Sequence, residues 1–387
     1  MDTLPQSHSN LRLEIVDRLA EVPAAAWNAL GVAGLPFLRH EFLSAQEETD
    51  CLGERFGWLP RHLTLWDRDG RLVGAAPMYL KFNSYGEFVF DWAWADAYER
   101  HGLAYYPKLV SASPYTPATG PRLLLHPQAP AATAGLLIDA ATNLARRAGV
   151  SSLHWLFTTE GETEVLEQAG LLRRVGCQFH WENRAYADFD AFLAALTSAK
   201  RKSIRKERRR VADAGVTFRL LDGRDASERD WAVFHGFYES TFDRRGGVPT
   251  LSLEFFRSIA ATMPEAVLLV LAEHDGRPVA AAFCLVGDDT LYGRHWGCSE
   301  HFDMLHFEAC YYQGIDFCIR RGLARFEPGA QGEHKVPRGF LPTPTYSAHW
   351  IDDERFRHAI AQHLTHEREG MSDYIEAMHG RSPYRVA

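Results

Sequence analysis

The chain of 387 residues has no apolar run reaching the roughly 18–20 residues that a bilayer-spanning helix requires. Its opening residues, MDTLPQSHSN, hold neither the basic nor the apolar stretch of an export signal. Six cysteines (Cys51, Cys177, Cys284, Cys298, Cys310 and Cys318) are scattered without a CxxC pair, the pattern of reduced, mostly buried thiols. These absences lead to the expectation of a cytoplasmic protein with no transmembrane segment. Positive charge is not in excess either. The 42 Lys and Arg against 50 Asp and Glu leave −8, which excludes a chain built throughout to coat nucleic acid. No G-x-S-x-G occurs, so a serine nucleophile on an elbow is not expected. With 46% hydrophobic and 24% charged residues, disorder and fibre are excluded, and the length suits two domains.

What is present alternates between strand and helix signals. Leu11, Leu13 and Ile15 alternate with polar residues as in a half-buried strand. Helices are expected after Pro23, over residues 39–48, and over residues 131–148 before Gly149. Strands at 62–66 and 72–80 flank the turn residues Asp67 to Gly70, a hairpin signal, and residues 88–94 read as a further strand. The plan then recurs. Trp231 lies in an amphipathic helix as Trp27 does, and Asp275-Gly276-Arg277 before an apolar run matches Asp69-Gly70-Arg71. The strand holding Arg294 to Cys298 stands for the aromatic run Asp91 to Ala95, and helices ending at Gly322 and Gly149 match. The order is that of the GNAT acyltransferase fold. The expected class is therefore α/β (α+β), with two tandem GNAT-like domains of mixed twisted sheets flanked by helices. Residues 10–187 form the first, 188–214 a basic linking helix, and 215–387 the second.

Two stretches carry chemistry. SAKRKSIRKERRRV in the linking helix sets eight cations against Glu207 alone, a local field able to attract a polyanion such as tRNA, a phosphate-bearing donor or an anionic membrane. The alternative is a solvated helix whose long side chains cover apolar surface. The loop of residues 327–338 holds Glu327, Gln331, Glu333, His334, Lys335 and Arg338 between Gly329, Gly332 and a following strand with His349. A general acid/base beside two cations and two carboxylates points to a reaction site; the alternative is a salt-bridged connection between strands.

The segment LHFEACYYQGIDFCIRRGLARFEPGAQGEHKVPRGFLPTPTYSAHW (residues 305–350) resembles the signature of the FemAB-like family, peptidoglycan biosynthesis/recognition proteins. YPKLVSASPYTPATGPRLL (106–124) resembles that family's first-domain signature, SIRKERRR (203–210) its basic helix, and Gly329 to Lys335, loosely, its late Gly-x-x-x-x-Lys segment. The resemblance implies an acyl- or aminoacyltransferase that acts on an amine acceptor such as a cell-wall peptide precursor, with Lys335 in the family lysine's place. It implies acyl-CoA or aminoacyl-tRNA as donor substrate. The glycine-rich coenzyme loop of ordinary GNAT enzymes is missing, however, since CSEHFDMLHF holds no glycine to let backbone amides approach a pyrophosphate.

Acyl transfer needs an amine deprotonated and a carbonyl oxygen and leaving group stabilised. His334 or Glu333 is the candidate base, with Lys335 and His306 completing the catalytic set. Substrate contacts are expected from Arg338, Glu327, Gln331, His349, Lys108, Arg122, Arg205, Arg208 and Arg209, around a cleft between the domains. Asp303 is read as the N-cap of the following helix, with His306, Cys310 and Gln313 on one face and Glu308 pointing away. His301, Asp303, His306 and His334 follow no recognised ligand spacing, so no metal is expected. The competing reading is a non-catalytic module that recognises a peptidoglycan- or nucleotide-linked ligand. Converging polar side chains in a pocket favour catalysis over it.

Overall fold

Two hairpins anchor the architecture, and both form where the turn residues place them. In a computed structural model describing residues 11–243, 246–330 and 332–385, His62–Trp66 pairs antiparallel with Leu72–Ala76 across Asp67 to Gly70. Val267–His274 pairs with Arg277–Val286 across Asp275 and Gly276, whose positive φ angles of 49° and 70° suit a two-residue hairpin turn. Around these hairpins the chain forms two units, neither of them continuous in sequence. Of the described residues, unit 1 gathers 11–47, 52–176 and 345–369, and unit 2 gathers 48–51, those within 177–344, and 370–385. Residues 345–369, read from the sequence with the second domain, thus belong to unit 1.

In unit 1, Arg12–Val16, His62–Trp66, Leu72–Ala76 and Leu124–Leu125 form one antiparallel sheet. After Pro77, which has no N–H to give a ladder, Met78–Lys81 joins a second sheet with Trp58–Pro60, Lys108–Ser111, Ser152–Thr158 and residues 346–351. The pair Lys108–Ser111 and Ser152–Thr158 is parallel and is connected through the helix Thr133–Ala148. That helix buries Leu137, Ile138, Ala141 and Ala145 on the sheet and ends at Gly149 in the left-handed region.

Unit 2 repeats the order. Val216–Leu221, Val267–His274, Arg277–Val286 and Thr290–Cys298 are antiparallel neighbours, and Arg325–Glu327 lies parallel to Thr290–Cys298, with residues 181 and 182 beyond it. The parallel crossover again runs through a helical segment, residues 305–321. Among the described residues no helix is long and apolar enough to cross a membrane.

Three expectations are corrected. The aromatic run near Asp91 is a helix, Trp92–Arg100, because Trp94 and Tyr98 sit four residues apart and bury one helical face with Tyr105, Ile360 and Leu364. The strand equivalent to Thr290–Cys298 is therefore Lys108–Ser111. The linking helix is two helices, Phe189–Ala195 and Ser198–Asp213. Leu196 turns extended (φ −85°, ψ 158°) and bridges Tyr384, while the Thr197 N–H donates to the Pro383 carbonyl. Asp303 does not cap the next helix. The residue before Leu305 is Met304 at φ 67°, and the Asp303 carboxylate takes Arg210 at 2.6 Å.

Candidate functional site

The pocket begins where two parallel strands part. Thr290–Cys298 and Arg325–Glu327 stay paired only from Thr290 to Tyr292, after which Pro328 and Gly329 turn the second strand away. Crevices beyond the carboxyl ends of parallel strands are where ligands of open α/β sheets bind. Gly293 lets Pro328 pass close to the strand at that point, since a Cβ there would lie 3.2 Å from the Pro328 Cα. On the opposite edge the register skips: Phe283 faces His295 while Cys284 faces Gly293, so Arg294 is the extra residue of a β-bulge. Gly297 admits the helix Glu228–Asp243 directly against the strand, where a Cβ would meet the Phe237 carbonyl at 2.1 Å. The Thr241 hydroxyl then donates to the Trp296 carbonyl at 2.9 Å. The result is a pocket of about 560 Å³ lined by Arg294, His295, Trp296, His306, Cys310, Tyr311, His334 and Lys335 among others.

The helical wall is irregular. Residues Glu308–Tyr312 form a π-turn, a form found often at functional sites. Its wider spacing puts Glu308 and Gln313 on one face, and the Gln313 amide donates to Glu308 at 2.8 Å. This corrects the α-helical expectation that separated them. Glu308 is buried and accepts the Arg208 guanidinium at 3.1 Å, so both serve to hold the wall. Cys310 and Tyr311 face the pocket, and burial pushes both side chains above their ordinary pKa, so both keep their protons.

Along the third wall, Glu333–Arg338 makes a short 3₁₀ helix. Lys335 is only 2% exposed, and its Nζ donates to the Gly329 carbonyl at 2.6 Å. Burial lowers its pKa to about 8. His334 hydrogen-bonds Tyr311 through Nε2 and the phenol at 2.8 Å. Desolvation, with Lys335 and Arg338 nearby, lowers its pKa and keeps the ring neutral at pH 7. His306 stands edge-on to Trp296 and Tyr311, with ring centroids 5.3 and 5.5 Å away.

Other expected site residues turn elsewhere. Glu333 points to Arg381 (3.1 Å) and Tyr374 (3.2 Å), so Glu333, His334 and Lys335 do not share one space. Arg338 stacks on Phe307 and donates to Glu207 and to the His334 carbonyl, fastening the loop. Glu327 is buried just before the pocket-lining Pro328, 4.0 Å from His180 and electrostatically coupled to Arg294. Arg205 pairs with Asp190, and Arg209 is exposed on the same helix. Gln331 lies outside the described residues.

Lys108, Arg122 and His349 belong to unit 1 and line no part of this pocket. Lys108 is buried with Glu87, Asp91 and Ser84. Arg122 donates to the carbonyls of Ala118, Gly120 and Pro121. His349 and His154 are hydrogen-bonded through their Nδ1 atoms at 2.6 Å. Sequence reasoning missed Arg294, His295, Trp296 and Tyr311 as lining residues. Arg294 to Cys298 was read as a repeat marker, and a bulge leaves no trace in a strand's composition.

Among the described residues no group of three or more His, Cys, Asp or Glu could hold a metal ion. The pocket instead brings a neutral imidazole and an ammonium of lowered pKa to one space, a base and an acid at the same pH.

Against known proteins, the FemAB-like family profile, peptidoglycan biosynthesis/recognition, matches residues 18–386. No curated protein gives a significant match. Solved structures do. The C-terminal domain of a protein described as a lysylphosphatidylglycerol synthetase from Agrobacterium fabrum superposes at TM-score 0.52 with 10% identity, covering 88% of this chain and 97% of that one. L-PGS from Bacillus licheniformis superposes at 0.51 with 12% identity, covering 84% and 91%. FemX superposes at 0.50 with 12% identity, covering 83% and 93%. At such identities the likeness is one of fold: two tandem GNAT-like units of mixed α/β structure.

Proposed function

This chain belongs to the FemAB-like family, and we propose that it transfers an aminoacyl or acyl group to the amine of a cell-wall peptide precursor, with the unit 2 pocket as its reaction site. The observation that carries this reading is the convergence of His334 and Lys335 on one pocket with pKa values displaced in useful ways. Neutral His334 accepts a proton from the attacking amine. Lys335, mostly protonated at pH 7, faces the carbonyl oxygen as charge develops there and gives a proton to the departing oxygen or sulfur. The amine nitrogen bonds to the carbonyl carbon as the ester or thioester bond breaks. Arg294, aimed by the bulge, adds fixed positive charge, and Tyr311 orients the imidazole through its phenol.

An aminoacyl ester, as in aminoacyl-tRNA, suits the site better than an acyl-CoA. The segment before the helical wall has no glycine, and its Asp303 is turned to Arg210. The exposed cations of Ser198–Asp213 supply attraction for such a polyanionic donor. The test supplies aminoacyl-tRNA or acetyl-CoA with a muropeptide carrying a free amine and reads the product by mass. Product from aminoacyl-tRNA, lost in Lys335→Met, supports the reading. Muropeptide binding without any product from either donor overturns it in favour of recognition alone.

A further inference from the structure

Unit 1 departs from unit 2 at one connection. Residues 82–107 join Met78–Lys81 to Lys108–Ser111, whereas unit 2 joins Arg277–Val286 to Thr290–Cys298 through residues 287–289. The start of this insertion is crowded with rings turned outward. Phe82, Tyr85, Phe88, Phe90 and Trp92 are between 39% and 72% exposed. Scattered exposed aromatics need no explanation, but a contiguous group marks an interaction surface. Phe90 and Trp92 have centroids 5.2 Å apart, and Tyr85 is 6.3 Å from Trp92.

The backbone beneath is held firmly. Arg174 donates to the Phe90 carbonyl at 2.8 Å, and Lys81 to the Tyr85 carbonyl at 3.1 Å. Apart from the rings, the polar side chains of the segment face inward. Glu87 and Asp91 are buried against Lys108, Ser84 bonds Asp91, and the Asn83 amide donates to the Phe56 carbonyl. From residue 82 to residue 95, all described, no exposed residue is charged. The surface is aromatic, ordered and neutral.

Those properties select among occupants. A sugar chain would need several hydrogen-bonding groups beside the rings; Glu87, Asp91, Ser84 and Asn83 are engaged inward, which leaves the polar tips of the rings themselves, as on the exposed Tyr85. A stable second copy would need about 800 Å² and 20–30 residues per partner, more than one short segment offers. An anionic partner finds no exposed cation within it. We propose that this aromatic segment docks on the interface of a lipid bilayer, its rings entering the headgroup region of neutral, zwitterionic lipid, where Trp and Tyr are at home.

The test is flotation of the full chain with phosphatidylcholine vesicles at low and high salt, against a Phe90→Ser/Trp92→Ser double variant. The chain is expected to float at both salt levels, and the double variant to partition about tenfold less or weaker still, with its melting temperature kept because both side chains are exposed. Lipids brominated in the acyl chain should quench tryptophan emission less in Trp92→Phe than in the native chain. Three results overturn the proposal. The first is no flotation. The second is flotation only on phosphatidylglycerol and only at low salt, which assigns membrane contact to the basic helix. The third is a vesicle-free dimer, or a complex with soluble glycan, that the double variant abolishes.

Discussion

The two units share an element order and differ in what fills the space beyond their parallel strands. In unit 1 a largely buried loop lies there. Residues 113–122 fold back along Ser152–Thr158, with the Gly120 N–H on the Phe157 carbonyl and Arg122 buried among three loop carbonyls. In unit 2 the strands part, Arg294 bulges, and about 560 Å³ stays open. Two buried lysines, Lys108 and Lys335, differ in their partners. Unit 1 buries Lys108 with two carboxylates, whereas unit 2 buries Lys335 with, among the described residues, a single backbone carbonyl as its hydrogen-bond acceptor. A cation with both partners in place serves the fold. A buried ammonium held by neutral acceptors has its pKa lowered, as do Lys335 and, in unit 1, Lys81, which falls to about 7; of the two, Lys335 lines the unit 2 pocket.

This contrast is broken most forcefully in unit 1. Lys108→Met leaves Glu87 and Asp91 buried without their cation and should cost about 3–5 kcal/mol in denaturant unfolding. Adding Glu87→Gln and Asp91→Asn should recover most of that loss. Wild-type stability of the single variant would show that the cluster is no structural staple.

In unit 2 the same substitution should act in the opposite way. Lys335→Met should lower turnover by about 10²–10³-fold, the scale of losing one transition-state stabiliser. Removing a lone buried ammonium relieves desolvation, so the melting temperature should hold or rise slightly. A large fall in melting temperature with full turnover would make Lys335 the counterpart of Lys108.

The pH profile sharpens the comparison further. The proposed reaction needs His334 neutral and Lys335 protonated. The rate should therefore rise with pH through the lowered titration of His334 and fall above about 8, as Lys335 gives up its proton. Lys335→Arg cannot lose its charge in that range, so any remaining activity should lack the alkaline fall. An unchanged alkaline limb would assign it to another group.

Least is expected from Glu333→Gln. The Arg381 pair is exposed on both sides and should contribute under about 1 kcal/mol, with turnover nearly unchanged. A marked loss of turnover would return Glu333 to the site from which its geometry removes it.

The hairpins, the crossover helices and the loop carrying Lys335 were legible in the chain because their signals are local: turn residues at Asp67 to Gly70 and Asp275-Gly276, and glycines after Ala148 and Arg321. The division of labour among the charges was not legible. Whether a cation is a clamp or a reagent depends on partners far along the chain. Arg338 meets Glu207 across 131 positions, and Arg208 meets Glu308 across 100. The helix Trp92–Arg100 was misread because aromatic residues favour strands, and burial of Trp94 and Tyr98 overrode that preference. The pairing of Glu308 with Gln313 needed a spacing that only the π-turn supplies.

The discontinuity of unit 1 bears on how the protein is made. The strand Ser152–Thr158 receives its neighbour, residues 346–351, only after nearly the whole chain has been synthesised. At about 5–20 residues per second, that edge emerges and waits on the order of 10–40 s with its backbone groups unpaired. Bare edges of this kind invite pairing with other chains. A fragment ending at residue 187 would carry the vacancy permanently, and should clump where the intact chain stays dispersed. Pulse-labelled nascent chains should resist protease over residues 152–158 only once residue 351 has left the ribosome.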